Sequence, residues 1–284
     1  MASHPPSPVR LIVNADDFGL TDGVNRSIAE LASTGALSSA TLMANGRAFE
    51  DAIARGVRRM GCHVVLVDGV PVSPASEVPT LVDTGGRLQT SLLRFVADLY
   101  LGRISEKQIE TEAVAQITRL QQAGVTVTHV DTHKHTHLFP RVALPVMRAA
   151  MRCGVPAIRN PFEQAWSARL TRGALLRKLE VAALRRFAST FHKLRRAAGL
   201  KTTDGSIGVS ATGHLDAATL RRLLEAATAG TWELVCHPGY NDTDLAQVKT
   251  RLRTTRDTER EALLQQIPQA VREGRIELIS FADL

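Results

Sequence analysis

Cysteine is scarce in this 284-residue chain: Cys62, Cys153 and Cys236 form an odd, widely spaced set, which argues against a disulfide framework. No uncharged apolar run approaches the roughly 18 residues of a membrane-spanning helix. The start, Met1 to Arg10, lacks the apolar stretch of a signal peptide, so residues 1–9 are expected to be a loose tail. Neither a glycine-rich phosphate loop nor a Gly-x-Ser-x-Gly elbow occurs, which counts against nucleotide and serine-hydrolase chemistry. Internal repeats and low-complexity linkers are absent too. What is present is an ordinary globular composition, 44% hydrophobic and 22% charged, with ample length for a core. The expectation is a single-domain cytoplasmic protein.

The formal charge of +7 is a local feature. Nine of the 35 basic residues, and Glu180 alone of the 28 acids, lie between Ala165 and Leu200; the remainder carries 26 basic and 27 acidic residues. A nucleic-acid footprint would need cations arranged for a groove and a matching motif, and neither is found. Leu176, Leu179, Ala183, Phe187, Phe191 and Leu194 follow helical spacing, with cations mostly on the other sides. Residues 165–200 therefore read as a basic amphipathic helical insertion. It can lie on an anionic membrane surface, or pack on the protein by its apolar stripe.

Apolar, β-branched runs alternate with helix-like stretches. Strands are expected at Arg10–Ala15, Ser39–Ala44, Cys62–Val67, Val125–Val130, Ala157–Arg159, Trp232–Cys236 and Ile276–Ser280. Helices are expected at Val24–Ser33, Ser105–Ala123, Val142–Cys153, Asp216–Ala227 and Thr255–Glu273, with Gly124 and Gly154 as stops. This alternation predicts a parallel α/β sheet. Asp16-Asp17, His63, His133, Arg159 and His237-Pro238 each follow a strand, the placement of a barrel active site. The fold expected is a distorted or incomplete TIM-like (β/α) barrel over residues 10–284.

Four of the nine histidines, His129, His133, His135 and His137, fall within nine residues behind one strand. Imidazoles are the ligands of choice for a catalytic transition metal at neutral pH. Alternation would put Asp131, His133, His135 and His137 on one face. Asp16 and Asp17 would repel unless a cation or proton resolves them; one division is a metal ligand plus a general base. The plainer reading, an Asp capping the next helix, competes with caps at Thr21-Asp22. His63 alone reads as a core histidine and gains meaning only beside the other motifs. His237, in a strand that runs into a Pro-Gly turn, can face a pocket as a general acid. Alternation turns Cys62 and Cys236 away from their neighbouring histidines, as buried structural thiols. Together these residues describe a metal-assisted hydrolase of an amide or ester.

Asn14-Ala-Asp-Asp-Phe-Gly19, Gly61-Cys-His63, Thr128-His-Val-Asp-Thr-His-Lys-His-Thr-His137 and Cys236-His-Pro238 resemble, in order, the motifs of the YdjC-like carbohydrate deacetylases. The stretch His63–Pro71 and the residues around Tyr240-Asn-Asp look most like the hopanoid-biosynthesis-associated branch. The resemblance implies a metal-dependent N-deacetylase of N-acetylated sugars, with ligands Asp17, His63 and His133. It further implies Asp16 as base, His237 as acid and Arg159 as the arginine that orients the base. The branch implies an N-acetylglucosaminyl hopanoid lipid as substrate; soluble chitooligosaccharides are the alternative. Two positions depart from the pattern: Leu66-Val67 replaces a common Leu-Thr, leaving the sugar contacts open, and Thr132 stands where serine is common.

The cofactor expected is one divalent ion. Two imidazoles lean toward zinc on ligand preference, whereas the resemblance points to magnesium. The partner expected is an acetylated amino sugar; its lipid linkage, a peripheral contact with the inner membrane surface through 165–200 and a homodimer are carried as open expectations. Phosphoester hydrolysis is disfavoured because the motifs offer few cations for a phosphate. A metal or lipid carrier could use His63 and His133 but has no need of Asp16 or His237.

Overall fold

The structure, a computed structural model, describes residues 9–57, 59–171 and 184–284. The expected tail, up to residue 8, and the positions of Leu176, Leu179 and Ala183 lie outside them. Seven strands form one parallel sheet: β1 (Val9–Phe18), β2 (Ser39–Leu42), β3 (Arg59–Val64), β4 (Thr126–Thr132), β5 (Gly205–Ile207), β6 (Thr231–Cys236) and β7 (Ile276–Leu278). The order is β4-β3-β2-β1-β6-β5, with β7 paired to the first residues of β1. Between β4 and β5 the wall consists of isolated parallel bridges, Val130 to Ile158, Ala157 to Lys201 and Glu163 to Ser206. The expected barrel is thus real but distorted and incomplete, and Ala157–Arg159 makes single bridges where a regular strand was anticipated. The sheet curves because parallel strands twist.

Among the described residues the helices are α1 (Asp22–Ser33), α2 (Phe49–Ala54), α3 (Leu92–Tyr100), α4 (Glu106–Gln122), α5 (Pro140–Arg152), α6 (Ala165–Leu170), α7 (Ala188–Ala197), α8 (Ala217–Ala226), α9 (Thr243–Ala246) and α10 (Thr254–Arg272). Their ends obey local chemistry. Thr21 Oγ1 accepts from Val24 N–H and Asp216 from Thr219 N–H, each a side-chain cap of a first turn. Pro140 starts α5, where its missing N–H costs nothing. Gly124 and Gly154, both at positive φ, end α4 and α5 as expected. Among the described residues no helix is long and apolar enough to cross a membrane.

Alternation along β1 divides the interior. Leu11, Val13 and Ala15 join the main core, while Ile12 belongs to a separate small cluster with Ala157, Ile279 and Phe281. The C-terminal segment thereby plugs one end of the barrel, and the His129 ring stacks on Phe281 at 3.6 Å between centroids. Burying a side chain of that size contributes about 1.5–3 kcal/mol. Gly61 is needed above this plug: a Cβ there would lie 2.4 Å from the His129 ring. The next inward positions, Asn14 and Asp16, are polar and buried. The barrel interior is therefore apolar at one end and charged at the other, where the strands' C-termini open.

Two local expectations need correction. β3 ends at Val64, so Val65–Val67, although buried, leave the strand. The histidine run does not continue β4: the strand stops at Thr132, and Lys134 and His135 have left-handed φ of 56° and 51°. Strict alternation therefore does not place His135 and His137. In the basic segment, Phe191 is buried and lies 5.6 Å from the Phe162 ring and 6.4 Å from His137, and Phe187 lies 6.1 Å from Phe139. The described part of the apolar stripe thus packs inward, while Arg185, Arg186, Lys193 and Arg196 are exposed.

Candidate active site

Asp16 and Asp17 should point to opposite faces of a strand, yet both are buried in the same place. Pairing shifts between Ala15 and Phe18, so three steps along β1 match two along β2. This is a bulge, and Asp17 sits in it at φ 66°. Such a φ costs a non-glycine residue on the order of 1 kcal/mol or more. It swings Asp17 toward β3 while Asp16 keeps the inward direction. Thr21 supplies the α1 cap, so neither aspartate is spent on it.

Asp17 Oδ1 lies 3.5 Å from His63 Nε2 and 3.2 Å from His133 Nδ1, and the two nitrogens are 3.3 Å apart. Among the described residues this buried oxygen accepts no hydrogen bond. Ligands about 2.0–2.1 Å from one tetrahedral metal are about 3.3 Å from each other, so this triangle fits a divalent ion. His63 Nδ1 is 2.8 Å from Asp131 Oδ1, which favours a proton on Nδ1 and a free lone pair on Nε2, the usual support of a metal-binding imidazole. Asp16, His63 and Asp131 are also close enough to hold an ion, but Arg159 already supplies the cation there.

Arg159 is the hub of the buried charges. Its Nη1 and Nη2 bind Asp16 bidentately at 2.8 and 2.6 Å, its Nε donates to Glu233 Oε1 at 2.7 Å, and Nη1 also contacts Asp131. Asn14 Nδ2 and Thr41 Oγ1 donate to Asp16 Oδ1 at 2.9 and 3.2 Å. Burial alone would raise the Asp16 pKa; Arg159, then His63, overcome it and hold the carboxyl far below its usual range. Burial pushes Glu233 up to about 8 against the pull of Arg159. With three carboxyl groups occupying its nitrogens, Arg159 has little left for a phosphate. His237, which enters from the end of β6, places its Nε2 3.8 Å from Asp16 Oδ2, an oxygen that Arg159 Nη1 also holds.

Three buried histidines, His129, His135 and His137, are held neutral. Burial lowers His137 to about 3 and carries His129 and His135 well below the ordinary value. Thr132 Oγ1 accepts the His137 N–H at 2.9 Å and meets its Nδ1 at 2.7 Å, so His137 braces the turn that follows His133. A serine at 132 carries the same hydroxyl. Cys62 and Cys236 are buried free thiols whose pKa burial raises.

His63 behaves oppositely: burial opposes its charge, but Asp131, Asp16 and Asp17 lift it to about 9. A folded pKa above 6.5 gives stability that is complete below pH 6.5 and lost as pH rises through 9. Glu233, raised to about 8, loses stability in the same direction up to that pH. The neutral buried histidines act oppositely, but only below pH 6.5. Chelator-treated protein should therefore lose a few kcal/mol, to order of magnitude, between pH 6.5 and 9. Thermal unfolding across that range checks it; a flat or rising midpoint would contradict the charge assignment.

Asp16, Asp17, His63, His133, Arg159 and His237 thus converge on one site from β1, β3, the end of β4, the bridge segment and the end of β6. Arg256, Glu259 and Glu233 escaped the sequence reading. Arg256 Nη2 donates to Asp17 Oδ2 at 2.5 Å, and Glu259 Oε2 accepts the His237 N–H at 2.6 Å. A signal existed: Arg256 and Glu259 occupy the same stripe of α10 as Leu263, Ile267 and Ala270. Charges at core positions mark buried partners. Glu233 is likewise a charge inside the apolar run Trp232–Cys236.

A family model described as YdjC-like protein matches residues 10–273. The chain belongs to the YdjC-like family. This YdjC-like chain is 34% identical over 256 residues to the carbohydrate deacetylase of Mus musculus, covering 82% of the chain and 78% of the mouse protein. It is 28% identical over 281 residues to the carbohydrate deacetylase of Thermoanaerobacter pseudethanolicus, covering 96% of the chain and 98% of that protein. The match to the Brevibacillus brevis carbohydrate deacetylase, 39% over 158 residues, spans 60% of that protein. In three dimensions it is similar to a proposed cellobiose-phosphate cleavage protein of Enterococcus faecalis V583. The TM-score is 0.75 at 23% identity, over 98% of this chain and 99% of that one; this likeness concerns the fold.

Proposed function

We propose that this YdjC-like protein is a metal-dependent carbohydrate deacetylase that hydrolyses the acetamide of an N-acetylated amino sugar. The observation that carries the reading is the Asp17–His63–His133 triangle, with its unpartnered Asp17 Oδ1 beside the Asp16–His237 pair. A divalent ion held by those three residues supplies Lewis acidity toward the acetamide carbonyl and toward water. Asp16, kept ionised by Arg159, takes a proton from the attacking water as the oxygen bonds the carbonyl carbon. Asp16 then gives that proton up and returns to the ionised form that Arg159 holds. His237 gives a proton to the nitrogen as the C–N bond breaks, leaving acetate and the free amine. Arg159 acts through Asp16 and is a positioning residue.

The substrate we favour is an N-acetylglucosaminyl hopanoid lipid, supported by the resemblance of His63–Pro71 and Tyr240–Asp242. The exposed Arg185, Arg186, Lys193 and Arg196 suit a peripheral contact with an anionic membrane. Two imidazoles favour zinc as the ion, with magnesium as the other candidate. The test is acetate release from the glycolipid and from chitooligosaccharides by chelator-stripped protein with single ions restored. Release from the lipid alone supports both reaction and substrate. Release from soluble sugars alone keeps the deacetylase and removes the lipid. An ion-loaded protein inert toward both overturns the assignment.

A further inference from the structure

We propose that Arg256 and Glu259, one turn apart on α10, are positioning residues that staple the Asp17 carboxylate to the His237 loop. The inference rests on the metal-site reading above. Arg256 is almost wholly buried, and its Nη2 takes Asp17 Oδ2 at 2.5 Å. Only Oδ1 then remains to face His63 and His133, so Asp17 is prepared as a one-oxygen ligand. The same guanidinium reaches the His237 carbonyl oxygen at 3.5 Å and is itself anchored by Nε on the Leu252 carbonyl at 3.1 Å. Glu259, equally buried, accepts the His237 N–H at 2.6 Å and the Gly213 N–H at 3.3 Å. Gly239 N–H returns to the Arg256 carbonyl at 3.3 Å, and a Cβ on Gly239 would meet Arg256 Cδ at 3.0 Å. One helical turn thus grips the backbone of His237 on both sides and the far oxygen of Asp17.

The experiment titrates zinc alone into chelator-stripped wild type, Arg256→Lys, Arg256→Gln and Glu259→Ala, with acetate release measured alongside. Outer-shell partners of this kind are worth about 10–100-fold in metal affinity. Arg256→Gln should lose that much, and Arg256→Lys, which keeps charge but not the fork, should lose less. Glu259→Ala should keep the zinc isotherm and lower kcat by about 100-fold through misplacement of His237. Should Arg256→Gln not fold, Arg256→Lys carries the comparison. Folded Arg256 variants that bind zinc like wild type, or a Glu259→Ala that turns over like it, overturn the staple. Failure of the wild type to bind zinc or magnesium would instead strike the metal-site reading. The staple is then judged by the ion-free crystal structure of Arg256→Lys, where an unmoved Asp17 and His237 overturn it.

Discussion

Asp16→Asn should bind a divalent ion as tightly as wild type, to within a few-fold, and release acetate about 1000-fold more slowly or worse. The two halves of that result have separate origins. Asp16 lies outside the Asp17–His63–His133 triangle, and asparagine keeps its shape, so the ligands need not move. What is lost is the ionised carboxylate 3.8 Å from His237, and general acid–base groups contribute about 10²–10⁴ in rate. Asparagine also leaves part of the Arg159 fork without a charged partner, although Asp131 and Glu233 remain on it. A stability loss of about 1–3 kcal/mol is the expected cost, so urea midpoints belong beside the rates. A carrier protein would show the same isotherm and have no turnover to lose. Turnover within tenfold of wild type would remove Asp16 from the role of base.

Local pattern carried a large part of this architecture. Thr21, Asp216, Gly124 and Gly154 mark helix ends that the structure places within a residue or two, because capping and left-handed φ are decided by neighbours in sequence. The alternation of strands and helices was enough for a parallel barrel, and the strand-end motifs for the side on which chemistry gathers. Long-range features were less legible. Nothing in Ala157-Ile-Arg159 distinguishes a full strand from two bridges, since that depends on what β4 and Lys201 present to it. β5 is three residues long and starts with glycine, too short for any periodicity. The two left-handed residues after His133 defeated alternation, because such turns depend on the Thr132–His137 contact across them. The acidic pair was recognisable, but the bulge that brings both carboxylates into one site comes from pairing with β2. Glu233 and Arg256 show a usable lesson: a charge at a core position asks for its partner, even when the partner lies far along the chain.

Arg159→Met should leave the chain marginally folded at neutral pH and most nearly rescued in mild acid. Methionine keeps an apolar stem in place of the arginine's and removes the charged end, so the dominant change is electrostatic. Asp16, Asp131 and Glu233, all buried, would lose the cation they share. Removing one partner of a buried ion pair costs about 3–5 kcal/mol, against a whole stability of about 5–15 kcal/mol. The pH dependence separates this from a packing defect. In wild type the depressed pKa of Asp16 contributes stability above the unfolded carboxylate value, lost only in strong acid. Without Arg159, burial raises the carboxyl pKa values instead, so the folded variant binds protons more tightly than the unfolded chain and weakens as pH rises. The gap in urea midpoint between wild type and variant should therefore be wide at pH 7 and narrow toward pH 5. A constant gap would mean that lost packing, not stranded charge, is the cause. Arg159→Lys restores one cation but not the two-point grip on Asp16. It should recover most of the fold while acetate release stays about 100-fold low. Folding and turnover then separate at a single residue, as they must if Arg159 neutralises the buried carboxylates and also aims one of them.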